Sequence, residues 1–237
     1  MIRSLGLRVL FAAGVVAGLA VAVFVFFRSL LRGARAFHPR GTICTAEVIA
    51  LDDGVGARLA GAARVRLSGA TEPENSPAQT ILGMAIELGT DQDLPLASFE
   101  SFLHASEATK NTDVADYRGN QYSSVTPWRV RELGIVWFRA IPGALLAQTG
   151  TRVERLDADI AAGRATFTLE ARDAPGPQGA VRCRLAEVRL TQRLTDDDPR
   201  FRIMFRTGRG LEPTGFRNGI RAVAYPTSQL ARRLRGG

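Results

Sequence analysis

With 237 residues, 46% hydrophobic and 23% charged, the chain is long enough for one globular domain and too apolar to be disordered. Its net charge of +8 comes from scattered arginines, Lys110 being the one lysine. With no block of like charge and no aromatic–basic motif, the sequence argues against a nucleic-acid partner and leaves an anionic membrane surface as the better explanation of the charge. Two histidines, His38 and His104, and two distant cysteines, Cys44 and Cys183, build no zinc site. The cysteines read either as a bridge, if the domain faces an oxidising compartment, or as buried free thiols, which is the expectation.

In chain order, the first element is the uncharged run Val9–Phe27, which as a helix spans about 29 Å, close to one bilayer core. Arg3 and Arg8 precede it, and Arg28 and Arg32 follow. Ala34-Arg35-Ala36 has the look of a signal-peptide cleavage site, but the apolar run is long for a signal and arginines crowd the cleavage region. The expectation is an uncleaved transmembrane helix over residues 1–31, with a single domain over 32–237. That makes a single-pass protein of a bacterial inner membrane. Basic residues flank both ends almost equally, so the side is close to undetermined, with a slight lean to the periplasm.

Behind the anchor, short apolar runs broken by Gly, Pro, Asp and Asn predict strands over Thr42–Ala50, Ala63–Ser68, Met84–Leu88, Gly134–Ala140, Ala165–Glu170, Ala180–Leu190 and Arg200–Arg206. Ala165–Glu170 alternates apolar and polar side chains, which gives one buried face. Helices are expected over Leu96–His104, over Arg152–Ala162 and after Pro226. The sum is an α+β chain built on an antiparallel β-barrel with helical additions.

Chemistry-bearing motifs are few: there is no phosphate-cradling glycine loop and no G-x-S-x-G. The stretch Arg221-Ala222-Val223-Ala224-Tyr225-Pro226, continuing through Ser228 to Arg232, resembles the segment of haem catalases that supplies the proximal tyrosine. There an arginine lies four residues before the tyrosine, a proline follows it, and another arginine lies seven residues beyond. Arg35-Ala36-Phe37-His38-Pro39-Arg40-Gly41 resembles the R-x-x-H-x-K-G segment that carries the distal histidine. Val65-Arg66-Leu67-Ser68 resembles the V-R-F-S strand, and Leu82-Gly83-Met84-Ala85-Ile86 the R-G-F/M-A-x-K-F strand, with Leu82 in place of the arginine. Asp93-Leu94-Pro95 and Ser101-Phe102-Leu103-His104 are similar to the loop and helix that follow. Ser124-Val125-Thr126-Pro127-Trp128-Arg129 and Pro213-Thr214-Gly215-Phe216-Arg217-Asn218 are similar to segments of short bacterial catalase-like proteins.

The resemblance implies a catalase-like core that binds haem b and acts on a peroxide or an organic hydroperoxide. Tyr225 would ligate the iron as a phenolate, a hard anionic donor suited to ferric iron, with the Arg221 guanidinium one helical turn earlier stabilising the anionic oxygen. Arg35, Arg66 and Arg232 would meet the haem propionates through their bidentate forks. His38 would move a proton between the peroxide oxygens, and Ser68 would orient its ring. His104 reads as a surface or packing residue. Where catalases place a peroxide-orienting asparagine, this chain has Asp93-Leu94-Pro95-Leu96-Ala97-Ser98, so dismutation of hydrogen peroxide is expected to be weak. Two alternatives stay open: a haem-binding or sensing protein without turnover, and a haem-free barrel that holds a lipid or a protein partner.

Overall fold

In the barrel strands, β-branched and aromatic side chains alternate with polar ones, and the alternation sorts them between a packed interior and an outer wall. The computed structural model describes residues 2–32, 38, 40–70, 75–101, 105–145, 149–176, 178–195 and 206–235. The strands are β1 (Thr42–Ala50), β2 (Gly61–Gly69), β3 (Leu82–Leu88), β4 (Gln92–Ala97), β5 (Tyr122–Ser123), β6 (Trp128–Val130), β7 (Gly134–Pro142), β8 (Thr166–Arg172), β9 (Val181–Leu194) and β10 (Leu211–Pro213). Among the described residues, eight antiparallel strands close in the order β7-β5-β4-β3-β2-β1-β9-β8, with β8 returning to β7. Closure removes the edges that would otherwise pair with other chains. β6 and β10 extend β7 beyond the barrel as a small antiparallel ribbon.

Inside the barrel, Leu67, Met84 and Leu96 stand opposite one another across three strands, all buried. Val65, Ile86, Phe138, Phe167 and Leu169 continue the same core. The outer wall carries charge that other segments cover. Glu87 on β3 lies between Arg64 and Arg206, and outside the barrel strands Arg118 pairs with Asp159, both side chains almost fully buried. Buried ions of this kind hold only when paired and hydrogen-bonded.

The helices are α1 (Ile2–Arg32), α2 (Val55–Leu59), α3 (Ala105–Asn111), α4 (Arg152–Ala161) and α5 (Phe216–Leu234). α4 starts on a capping box in which Thr151 and Glu154 satisfy each other's backbone N–H groups. α5 continues through Pro226, where the ring removes one helical donor. On the next residue, Thr227, the side-chain hydroxyl donates to the Val223 carbonyl at 2.8 Å.

α1 is apolar throughout its middle, and it packs side by side with α5, both helices running in the same direction. Gly14 meets the Phe216 backbone, Gly18 meets Ile220, Val25 packs on Ala224, and Ser29 Oγ lies 2.7 Å from Ser228 Oγ. A Cβ at Gly14 or Gly219 would run into the backbone of the other helix, so glycine there is what lets the two backbones touch.

Two expected elements differ: the helix expected after Pro226 already begins at Phe216, and the one expected from Leu96 is displaced. The helix expected from Leu96 does not begin there: Leu96 and Ala97 end β4, positions 102–104 lie outside the described residues, and α3 starts at Ala105. Of the strand expected over Arg200–Arg206, only Arg206 is described, and it is not in a strand. Cys44 and Cys183 are free thiols, Cys44 buried and Cys183 half-buried. Burial, with a smaller contribution from Asp157, pushes the Cys44 thiol up to about 12.

Candidate functional site

Antiparallel pairing places residues that stand opposite one another on the same face of a sheet. The register therefore lines up Ser68 on β2, Gly83 on β3, Ala97 on β4 and Ser123 on β5 in one row. This row alternates with the inward Leu67, Met84 and Leu96, so it lies on the outer wall of the barrel. Arg66, two residues from Ser68, shares that wall.

His38 lies across this row. Its Nδ1 is 3.0 Å from Ser68 Oγ, its backbone N–H donates to the Ala70 carbonyl at 2.7 Å, and Arg66 Nη2 donates to its carbonyl at 2.9 Å. These bonds hold a backbone φ of 53°, in the left-handed region that residues other than glycine seldom occupy. The imidazole rests on Gly83: a Cβ there would stand 2.6 Å from His38 Cε1 and 2.9 Å from Nδ1. Gly83→Ala is therefore expected to push the ring off β3 and to cost about 1–3 kcal/mol through overpacking. A thermal melt measures the loss, and the imidazole NMR signals report whether the bond to Ser68 survives.

The C-terminal residues meet on one face of α5. Asn218, Arg221, Tyr225 and Arg232 are spaced by three, four and seven residues, which is one stripe of a helix. That stripe is turned toward the barrel at its start. Thr126 Oγ1 donates to Asn218 Oδ1 at 3.3 Å, Arg221 Nη1 donates to the same amide oxygen at 3.2 Å, and Asn218 Nδ2 donates to the Pro127 carbonyl at 3.3 Å. Tyr225 packs against the main core, half-buried. The segment that receives α5 begins just after Ser123, the end of the row on which His38 rests. The barrel wall under His38 and the polar stripe of α5 are thus fastened to the same stretch of chain.

Of the three tyrosines, Tyr225 alone lies on this stripe. Tyr117 and Tyr122 are fully buried in the core. Tyr122 donates its hydroxyl to the Tyr117 carbonyl at 2.7 Å, and burial pushes its phenol well above the usual range. A phenol so placed makes no anionic ligand.

Ser68, Arg66 and His38 are brought together, and Arg221, Tyr225 and Arg232 share one helix face. Arg35 and His104 lie outside the described residues. Position 97, next to Gly83 in the row, is an alanine, whereas Leu96 points into the core and takes no part in this surface. Asp93 is fully buried on β4 opposite Glu87, with Arg206 beside it. Two contributors escaped the sequence reading although they stood in the quoted segments. Gly83 was visible as a glycine inside a strand, a mark of close approach. Asn218 sat in Pro213-Thr214-Gly215-Phe216-Arg217-Asn218, and only the fold shows that this segment docks on Ser124-Val125-Thr126-Pro127-Trp128-Arg129.

An eight-stranded antiparallel barrel with this strand order and its added helices has the catalase-like fold. Among solved structures the chain is similar to a fungal catalase, with 12% identity and a TM-score of 0.62 over 84% of this chain and 59% of that one. It is also similar to catalase A from Saccharomyces cerevisiae, with 11% identity and a TM-score of 0.61 over 84% and 60%. A bacterial catalase aligns with 9% identity and a TM-score of 0.57 over 84% and 57%. The chain therefore spans about 59% of the length of the first of these. At such identities the likeness establishes the fold alone. No family model matches the sequence, and no curated protein matches it.

Proposed function

We propose that this chain is a membrane-attached haem protein that processes organic or lipid hydroperoxides as a peroxidase, with weak activity on hydrogen peroxide. The observation that carries the reading is the fixed His38–Ser68 pair on the outer wall of a catalase-like barrel. The donor set suits haem b. Tyr225 is an oxygen donor that ferric iron favours, and Arg66, Arg221 and Arg232, with Arg35, are partners suited to an anionic oxygen or to propionates. When bound, haem would supply the iron centre at which the oxygen–oxygen bond of a peroxide is broken.

The remaining roles belong to the chain. With Nδ1 engaged by Ser68, Nε2 of His38 is the nitrogen that would take the proton from one peroxide oxygen and return it to the other. In this role Nδ1–H would donate to Ser68 Oγ, the tautomer that leaves Nε2 as the acceptor. Arg66 and Ala70 keep the imidazole in place by fixing the backbone of residue 38. The Ala97 side chain offers no hydrogen-bond donor beside Gly83, which supports weak handling of hydrogen peroxide.

Membrane attachment is assigned to α1, whose stretch Leu5–Leu31 is long and apolar enough to enter a bilayer. About ten residues separate Phe27 from His38, and an extended residue covers at most about 3.6 Å, so the site lies within tens of ångströms of the lipid. The test is the absorbance spectrum of detergent-purified protein made with haem available, followed by turnover with cumene hydroperoxide. A ferric tyrosinate-type spectrum with turnover supports the reading. Haem without turnover assigns binding or sensing instead, and a colourless protein assigns a haem-free barrel.

A further inference from the structure

We infer that α1 does not cross the bilayer but lies in the plane of one leaflet, with α5 between it and the barrel. This rests on the membrane attachment proposed above and states its geometry. α1 has 31 residues, about 46 Å of helix, and it follows the domain along most of that length. Near its start, Leu7 reaches the backbone of Gly215, and Arg8 and Phe11 line a groove completed by Arg129, Ile135, Glu212 and Pro213 of the β6–β7–β10 ribbon. Its middle rests on α5 through Gly14 and Gly18. Its end is tied by Ser29 to Ser228 and by Arg235, whose Nη1 donates to the Leu30 carbonyl at 2.6 Å.

A helix standing across the bilayer in this arrangement would take α5 and the ribbon into the hydrocarbon with it. α5 carries Arg217, Arg221, Arg232 and Arg233, and Arg235 caps its end. Arg217 and Arg221 flank Ile220, the partner of Gly18 near the centre of the apolar run, where a guanidinium is least tolerated. The loop polar groups around Thr126 that hold Asn218 would be carried in as well.

Turned flat, the same structure meets lipid and water correctly. The face of α1 away from α5 is apolar and open, with Val9 62%, Leu19 60% and Phe24 56% exposed, and it bears no charge between Arg8 and Arg28. On α5, Phe216, Leu230 and Leu234 are exposed as well. Arg8, Arg28, Arg233 and Arg235 then stand at the level of anionic headgroups, where long basic side chains are favoured. The committed occupant of this face is one leaflet of a phospholipid bilayer.

The experiment uses the full chain, with Cys183→Ser removing the half-buried thiol and the buried, protonated Cys44 left in place. Single reporters are introduced as Ser4→Cys at the start of α1 and Glu107→Cys on α3, and a membrane-impermeant maleimide is applied to sealed vesicles of each orientation. Both reporters are expected to label from the same side and to be protected together in the opposite orientation. Labelling from opposite sides would overturn the inference and show that α1 crosses the bilayer, leaving attachment itself intact. A full-length protein found in the soluble fraction, including one paired through α1 as a dimer, would remove both the inference and the attachment. As a second measurement, fluorophores at Val9→Cys, Leu19→Cys and Phe27→Cys are quenched by lipids brominated at known depths. Equal shallow depth supports the flat helix, and a maximum depth at position 19 overturns it.

Discussion

Tyr225→Phe is expected to yield a folded barrel that has lost its haem, or retains it with an altered ferric spectrum. The substitution removes one oxygen and keeps the ring, and that ring is what packs half-buried against the core, so folding should change by no more than about 1 kcal/mol. The iron would lose its anionic ligand outright, so haem retained per protein should fall at least about tenfold at equal supply. Absorbance per protein in the Soret region measures this, with circular dichroism to verify the fold. Arg221→Ala is expected to act less strongly, because its guanidinium sits one turn from Tyr225 and already donates to Asn218 and Thr126. A Tyr225→Phe protein with an unchanged spectrum would remove Tyr225 as the ligand.

Strands were most legible where both of their faces have a settled partner. β1 was readable to the residue, because its apolar run ends in the turn formers Asp52, Asp53 and Gly54. β8 and β9 were readable from their alternation, which the barrel interior enforces. β4 was not. Its sequence, Gln92-Asp93-Leu94-Pro95-Leu96-Ala97, holds a proline and two polar residues, and Leu96 starts a stretch that could be taken for a helix. The fold tolerates these because β4 pairs with β3 along its whole length but with β5 only at Ala97, so Pro95 is not required to donate on that second side. The buried Gln92 is satisfied by Leu211, a partner 119 residues away that no local pattern announces. β5, β6 and β10, at two or three residues each, are too short to carry a period.

The site was legible as residue types in order, because Arg221, Tyr225 and Arg232 fall on helical spacing and Arg66 and Ser68 on strand spacing. Its geometry was not. The positive φ of His38, the fit of its ring on Gly83 and the anchoring of Asn218 to Pro127 all depend on contacts between segments distant in sequence. The packing of α1 on α5 was hidden for a different reason. A uniformly apolar helix shows no preferred face, so the small residues Gly14 and Gly18 give little sign in sequence of the partner they meet.

His38→Ala is expected to cut peroxidase turnover steeply while leaving haem bound, which separates the proton-moving group from those that would hold the cofactor. General acid–base groups contribute roughly 10²–10⁴-fold, and that is the expected fall in kcat/KM with an organic hydroperoxide. Ser68→Ala should fall between this variant and the parent, because the ring remains but loses the hydrogen bond between Nδ1 and Ser68 Oγ that holds its orientation. Activity on hydrogen peroxide is expected to be low in the parent for a different reason. Gly83 is flanked in its row by Ser68 and Ala97, and a methyl group cannot donate to a small peroxide as its oxygen–oxygen bond lengthens. One missing donor of that kind is worth about 10²–10³ in rate. Ala97→Asn restores an amide in the row beside Gly83 and is expected to raise oxygen evolution from hydrogen peroxide more than turnover of a bulky hydroperoxide, for which the larger side chain narrows the surface. Initial rates of both reactions, measured per haem on the parent and the three variants, decide the matter. Vigorous oxygen evolution by the parent would make it a small catalase, and unchanged turnover in His38→Ala would remove His38 from the chemistry.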